Sequence, residues 1–197
     1  FVGDDHEFAT YLFAIGGYWD DGVSRTLVSW GALDADVPYG PFDLVVPLLP
    51  DGTVRLGARA GGSAGGGANA SAPVTPGQAG VSLVLPWIPT SIAPADGTAD
   101  VGYTTAFTWT TNEADGTDGL HVDCDSGVSF RIWGGGRAAT LPDLGAHGVT
   151  LTPGITGCTW YPRWVSYAMG EMVQGPAAGD ALPVKRTAYG APRAFVF

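Results

Sequence analysis

Leu120-His121-Val122-Asp123-Cys124-Asp125-Ser126-Gly127-Val128-Ser129-Phe130-Arg131-Ile132 is the stretch that decides the fold. Leu120, Val122 and Cys124 fall on one face of a strand, and Val128, Phe130 and Ile132 on one face of the next. Apolar side chains at every second position are the signature of strands with one buried face. The same period recurs in both directions. Downstream, Cys158 and Trp160 share a face after the turn Thr152-Pro153-Gly154, and Phe195 and Phe197 end the chain in strand phase. Upstream, Thr105, Phe107 and Trp109 alternate, as do Val81, Leu83 and Leu85.

The first half repeats the pattern. Tyr11, Phe13 and Ile15 form one strand face, and Thr26 to Trp30 a second strand. Phe42, Leu44 and Val46 form a third. After the turn Pro50-Asp51-Gly52, Val54, Leu56 and Ala58 point inward while Arg55 and Arg59 point the other way. No window sustains a helical period with charges opposite. With 31 Gly and 15 Pro among 197 residues, short strands and many turns are favoured over helices. The expected fold is all-β, as two tandem immunoglobulin-like β-sandwiches. The joint is Pro86-Trp87-Ile88-Pro89-Thr90-Ser91-Ile92-Ala93-Pro94, a proline cluster read as a short, stiff linker. Domains are therefore expected over residues 1–88 and 92–197. The Gly-rich stretch 61–68 is expected to be a loop between strands.

Composition narrows function. A net charge of −10 and a pI near 4.4 argue against nucleic acid and against an anionic membrane surface. No run of apolar residues is long enough for a membrane-spanning helix. The chain starts at Phe1, so a processed product or the ordered part of something longer is expected. One Lys beside eight Arg, with many Ala, Gly and Asp, suggests a GC-rich bacterial source. Cys124 and Cys158 both lie in core phase. They suit either a disulfide, bridging the two sheets of the second domain, or two buried thiols. A bridge would place the protein outside the reducing cytoplasm: periplasmic, cell-surface or secreted.

Gly40-Pro41-Phe42-Asp43-Leu44-Val45-Val46-Pro47, then Val54-Arg55-Leu56-Gly57-Ala58, then Val81-Ser82-Leu83-Val84-Leu85, resembles the transthyretin-like sandwiches called carboxypeptidase regulatory-like domains. Pro94-Ala95-Asp96-Gly97, Phe107-Thr108-Trp109, Leu141-Pro142 and Leu151-Thr152-Pro153-Gly154 before Cys158-Thr159-Trp160 resemble a bacterial fibronectin type III domain over about residues 92–197. Cys158 stands where that family usually has Tyr, which reads as a tyrosine corner traded for a bond to Cys124. Both resemblances imply accessory domains, used for docking or spacing.

Candidate chemistry is sparse. His6, His121 and His147 stand in no recognisable arrangement with Ser or Cys, and there is no Gly-x-Ser-x-Gly elbow. No catalytic residue is assigned. Asp115, Asp118, Asp123 and Asp125 are dense enough for a calcium site, or are simply a solvated acidic edge. If Leu120, Val122 and Cys124 face the core, His121, Asp123 and Asp125 face out together. Tyr18, Trp19, Tyr39, Trp133, Tyr161 and Arg163 are the candidate binding residues, because aromatics beside Arg or Asp stack on sugars or anchor protein partners. The expected function is a non-catalytic exported structural or protein-interaction module, serving surface attachment, assembly or spacing. Its partner would be a protein or a larger extracytoplasmic assembly. The alternative is a carbohydrate-binding module that recognises a polysaccharide.

Overall fold

A computed structural model describes residues 12–20, 25–33, 53–61, 65–75, 77–134, 136–149, 151–154, 156–166 and 185–197, the first two spans by backbone and register alone. The chain is all-β, with two sheets. Its strands are β1 Leu12–Asp20, β2 Arg25–Leu33, β3 Thr53–Gly61, β4 Gly67–Val74, β5 Thr90–Ala93, β6 Phe107–Thr110, β7 Thr117–Cys124, β8 Ser129–Gly134, β9 Ala138–Ala139, β10 Gly157–Val165, β11 Lys185–Tyr189 and β12 Arg193–Val196. The larger sheet runs β2-β1-β3-β4-β11-β10-β7-β8, with β12 also paired to β10; the smaller runs β5-β6-β9. The expected strand around Phe42 and Val46 lies outside the described residues, as does Tyr39.

The two sheets pack face to face over the second half. Phe107 and Trp109 of β6 meet Leu120 and Val122 of β7, Phe130 of β8, Trp160 of β10 and Phe195 of β12 in one apolar cluster. Phe107 stands edge-on to both Trp160 and Phe195, with ring centroids 5.3 and 5.4 Å apart. These are the residues whose alternation marked them as inward-facing.

The first half builds its core from smaller side chains. Ala58 and Ala60 of β3, Ala68, Ala70 and Ala72 of β4 and Ala188 of β11 are buried together against Leu83 and Leu85. An alanine face lets a covering segment approach the sheet closely. That segment is 81–85, which departs from the expected closing strand. Its alternation is as read, with Leu83 and Leu85 buried and Ser82 and Val84 exposed, but it lies over the sheet face and joins no ladder. The Gly-rich stretch also differs from the expected loop at its end, since β4 begins at Gly67.

The halves are bonded across the expected joint. β11, from the second half, pairs with β4, from the first, over five residue pairs from Lys185↔Ser71 to Tyr189↔Gly67. The proline segment is packed rather than solvated: Pro86 and Pro89 are fully buried. Trp87 donates its backbone N–H to Glu113 Oε1 at 2.8 Å, and the other oxygen of Glu113 sits 3.4 Å from Arg186 of β11. The Arg186 guanidinium in turn lies 5.1 Å from the centre of the buried Trp164 ring. Glu113→Ala would strip both bonds and leave a half-buried guanidinium, at an expected cost of about 1–3 kcal/mol in urea denaturation. An unchanged midpoint would show that this junction contributes nothing.

Cys124 and Cys158 are bonded, with a Cα–Cα separation of 4.0 Å. The bond does not bridge the two sheets, contrary to the expectation from sequence. The residues are direct cross-strand partners on β7 and β10 of the larger sheet. Both are in core phase, as expected. Phase alone does not say which inward-facing strand is the neighbour, and here the neighbours lie side by side.

Candidate functional site

The larger sheet has a second face, turned away from the sandwich core. Register places Trp133 of β8 opposite Gly119 of β7, His121 opposite both Arg131 of β8 and Tyr161 of β10, and Arg163 of β10 opposite both Gly119 and Tyr189 of β11. Side chains directly opposite one another across a ladder share a face and touch. The result is a line of rings across four strands. Trp133 and His121 centroids are 5.6 Å apart, His121 and Tyr161 5.2 Å, and Tyr161 and Tyr189 6.2 Å. Tyr189 then accepts a hydrogen bond on Oη from Arg59 Nη2 of β3 at 3.3 Å, which carries the line into the first half.

Glycines make this line possible. A Cβ at Gly119 would lie 2.5 Å from the Trp133 ring, and one at Gly67 would lie 2.7 Å from Tyr189 Oη. Both glycines are the direct ladder partners of the aromatic they seat. Arg163 lies above Trp133, its guanidinium carbon 5.9 Å from the ring centre. Trp133 is thus held between glycine backbone and guanidinium. Gly119→Ala is expected to push the indole off the sheet and change its fluorescence, whereas an unchanged emission spectrum and melting curve would contradict the seating.

His121 is the buried centre of the stripe, only 4% exposed. Sequence phase correctly turned it away from the apolar core but placed it facing out with Asp123 and Asp125. Flanking Trp133 and Tyr161 rings cover it instead, while Asp123 and Asp125 are exposed. Its Nδ1 lies 3.2 Å from Tyr161 Oη, and its Nε2 is buried with no hydrogen-bond partner. Burial, reinforced by the Arg163 and Arg131 charges and opposed by Asp123, lowers its pKa from 6.5 to about 4. The folded state therefore holds His121 neutral while the unfolded chain takes up a proton near pH 6.5. Stability is expected to fall as pH drops from about 6.5 to about 4, by on the order of 2–3 kcal/mol. His121→Gln should flatten that part of the profile. A profile identical to that of the parent would show that His121 does not titrate in this way.

The acidic residues do not gather. Asp118 shares the core-side phase of β7: it accepts a bond from Trp109 Nε1 at 3.4 Å and lies 3.9 Å from Arg137. Burial raises its pKa, against the lowering effects of Trp109 and Arg137. Asp123 is on the opposite face and accepts a bond from Ser129. Asp115 is exposed and uses its backbone carbonyl to accept a bond from Trp164 Nε1 at 2.9 Å, and Asp125 lies beyond the strand beside Gly157. The pleat sends Asp118 and Asp123 to opposite faces, since their separation in sequence is odd. Among the described residues no three His, Cys, Asp or Glu side chains come together as metal ligands.

Of the candidate binding residues, the structure brings Trp133, Tyr161 and Arg163 together. Tyr18 and Trp19 are placed by backbone register on β1, four strands away from β10. Sequence reasoning missed Tyr189, Arg59 and the role of His121. The signal for Tyr189 was faint, because β11 is short and the alternation it carries is of Ala188 against Thr187 and Tyr189. A scan against protein-family models, a search of curated proteins and a search of solved structures each returned no match for this chain.

Proposed function

We propose that this chain is a non-catalytic, extracytoplasmic binding module that holds a protein partner on the outer face of its larger sheet. Its two halves are immunoglobulin-like units that share that sheet. The observation that carries the reading is the stripe Trp133–His121–Tyr161–Tyr189, flanked by Arg163 and Arg59. Aromatic and Arg side chains supply large contact area with few rotamers to freeze, which is why they dominate the energetics of protein interfaces. The second half packs three strands on a larger sheet around Trp109 and Trp160, and the resemblance of its sequence to fibronectin type III domains supports the reading. It points the same way, toward docking rather than catalysis.

Ring geometry favours protein over polysaccharide. Sugars stack on open, flat ring faces. Here consecutive rings are inclined at 84°, 48° and 67°, and Trp133 has Gly119 beneath it and Arg163 above. The non-catalytic part of the reading has its own support. The two cysteines are bonded to each other and offer no thiolate. His121 is packed among rings, and His147 is exposed in the 3-10 turn Gly145–His147. The disulfide supports an oxidising location.

Site-specific photo-cross-linking tests the reading. A photoreactive residue at Arg131, beside the stripe, should yield one defined adduct in the cell that makes the protein. The same residue at Val84, which is 49% exposed on the segment covering the opposite face, should not. Equal adduct patterns from both positions would contradict the proposal. So would glycan rather than protein adducts.

A further inference from the structure

We infer that the partner segment bound on this face is an acidic peptide, one presenting Asp or Glu side chains to Arg131, Arg163 and Arg59; this rests on the binding face proposed above. Charge placement points to it. The protein as a whole is strongly acidic, at −10. Yet among the described residues the outer face of β3, β4, β11, β10, β7 and β8 carries the buried Arg55 and the more accessible Arg59, Arg131 and Arg163 against one carboxylate, Asp123, and that one is bonded to Ser129.

The other arginines whose side chains are described are already engaged, Arg55 with the carbonyl and Oγ of Ser71 at 3.4 Å. Arg137 lies 3.9 Å from Asp118, and Arg186 lies 3.4 Å from Glu113. Arg193 donates to the carbonyls of Ile92 and Pro94 at 2.9 and 3.3 Å. On the outer face, among the described residues, Arg59 donates to a phenol and Arg163 lies over an indole. No carboxylate lies within ion-pair distance of Arg59, Arg131 or Arg163 among the described residues. Guanidinium groups with no described carboxylate beside them, two of the three set against aromatic residues, are suited to bidentate capture of carboxylates from outside.

The second observation is His121. Its unpartnered, buried Nε2 sits at the middle of the stripe. An unsatisfied buried polar atom costs about 1–3 kcal/mol. Local costs of this kind collect at functional sites rather than in ordinary sheet faces. Keeping the ring neutral avoids adding a third positive charge beside Arg131 and Arg163.

An extended peptide suits the dimensions. Trp133 to Tyr189 spans three strand spacings, or about 15 Å. That is the length of about five extended residues, and a peptide with carboxylates at alternate positions would meet the flanking arginines.

Fluorescence anisotropy with a fluorescein-labelled dodecapeptide of alternating glutamate and glycine tests this. The full chain should bind it at low ionic strength, and binding should weaken as salt is raised from about 20 to about 200 mM. The matching glutamine–glycine peptide should bind at least about tenfold more weakly. Arg131→Gln with Arg163→Gln should weaken glutamate-peptide binding about tenfold or more, with the melting curve showing that the variant is folded. Arg137→Gln, on the other side of the sheet, should change it less than about twofold. Equal binding of the two peptides, or no loss in the double variant, would overturn the inference. Tighter binding of an oligogalacturonate, lost in the same double variant, would overturn the peptide commitment in favour of an acidic polysaccharide. Photo-adducts from position 131 that persist in an Arg163→Gln, Arg59→Gln background would overturn the acidic partner while leaving the binding face in place.

Discussion

Trp160→Ala is expected to destabilise the protein by about 3–5 kcal/mol, more than the loss of the Glu113 junction or of the disulfide. Trp160 is fully buried on β10 and stands edge-on to Phe107 of the smaller sheet, 5.3 Å between ring centres. Removing the indole takes away much of what the smaller sheet packs against and leaves a cavity that neighbouring Leu120, Val122 and Phe195 cannot fill without moving. For a chain of this size the melting temperature should fall by roughly 6–20 °C. Trp160→Phe separates volume from polarity. The Trp160 Nε1 proton has no hydrogen-bond partner, so phenylalanine removes an orphaned donor while retaining most of the ring. It should cost distinctly less than alanine. An alanine variant that loses less than about 1 kcal/mol would show that the two sheets do not meet at this residue.

Replacing Cys124 and Cys158 together with alanine is expected to cost about 2–4 kcal/mol. The bond closes a segment with a sequence separation of 34, which holds β8, β9 and the loops between them. In the chain-entropy picture the cross-link acts by restricting the unfolded ensemble, and the restriction grows with the logarithm of loop length. β7 and β10 remain paired over eight positions without the bond, so the double variant should fold to the same sheet order. The expected signature is a lower denaturation midpoint with a larger dependence on denaturant, since the unlinked chain exposes more surface. Treatment with reductant should shift the parent toward the variant and leave the variant itself unmoved. A parent insensitive to reductant would mean that the thiols are not bonded.

How far the sequence was legible depended on side-chain size. Where the core is made of large residues, in β6, β7, β8 and β10, period-two reading found both the strands and their inward faces. Where it is made of alanine, the reading found β3 with its inward Val54, Leu56 and Ala58 but missed β4. Ala68, Ala70 and Ala72 alternate as strictly as Leu120 and Val122, but they follow a glycine run and carry little hydrophobic signal. The strand that joins the two halves was therefore not recognised, its first two residues falling in the expected loop over 61–68, and the proline cluster was read as a short, stiff linker. Leu83 and Leu85 illustrate the converse. Their alternation is real, yet alternation records which side chains are buried and not whether the backbone has a ladder partner.

The candidate site was legible in its parts and not in its assembly. Trp133, Tyr161 and Arg163 stood out as aromatic and cationic residues without an evident core role. What gathers them is strand order, β8-β7-β10-β11, which depends on long-range pairing invisible in a single sequence. The acidic segment shows the opposite. Asp118 and Asp123 are close in sequence, and the pleat places them on opposite faces. Gly119, between them, looks like a turn residue in sequence and serves in the structure as the seat of Trp133.

A backbone and indole NMR titration of the isotopically labelled chain with the glutamate–glycine peptide locates the binding face directly. The largest shifts should fall on the Trp133 indole and on amides of Arg131, Tyr161, Arg163 and Tyr189, crossing from β8 to β11 along the stripe. Shifts centred on the smaller sheet, around Thr90–Ala93 and Phe107–Thr110, with the Trp133 indole unmoved, would contradict a binding site on the outer face of the larger sheet.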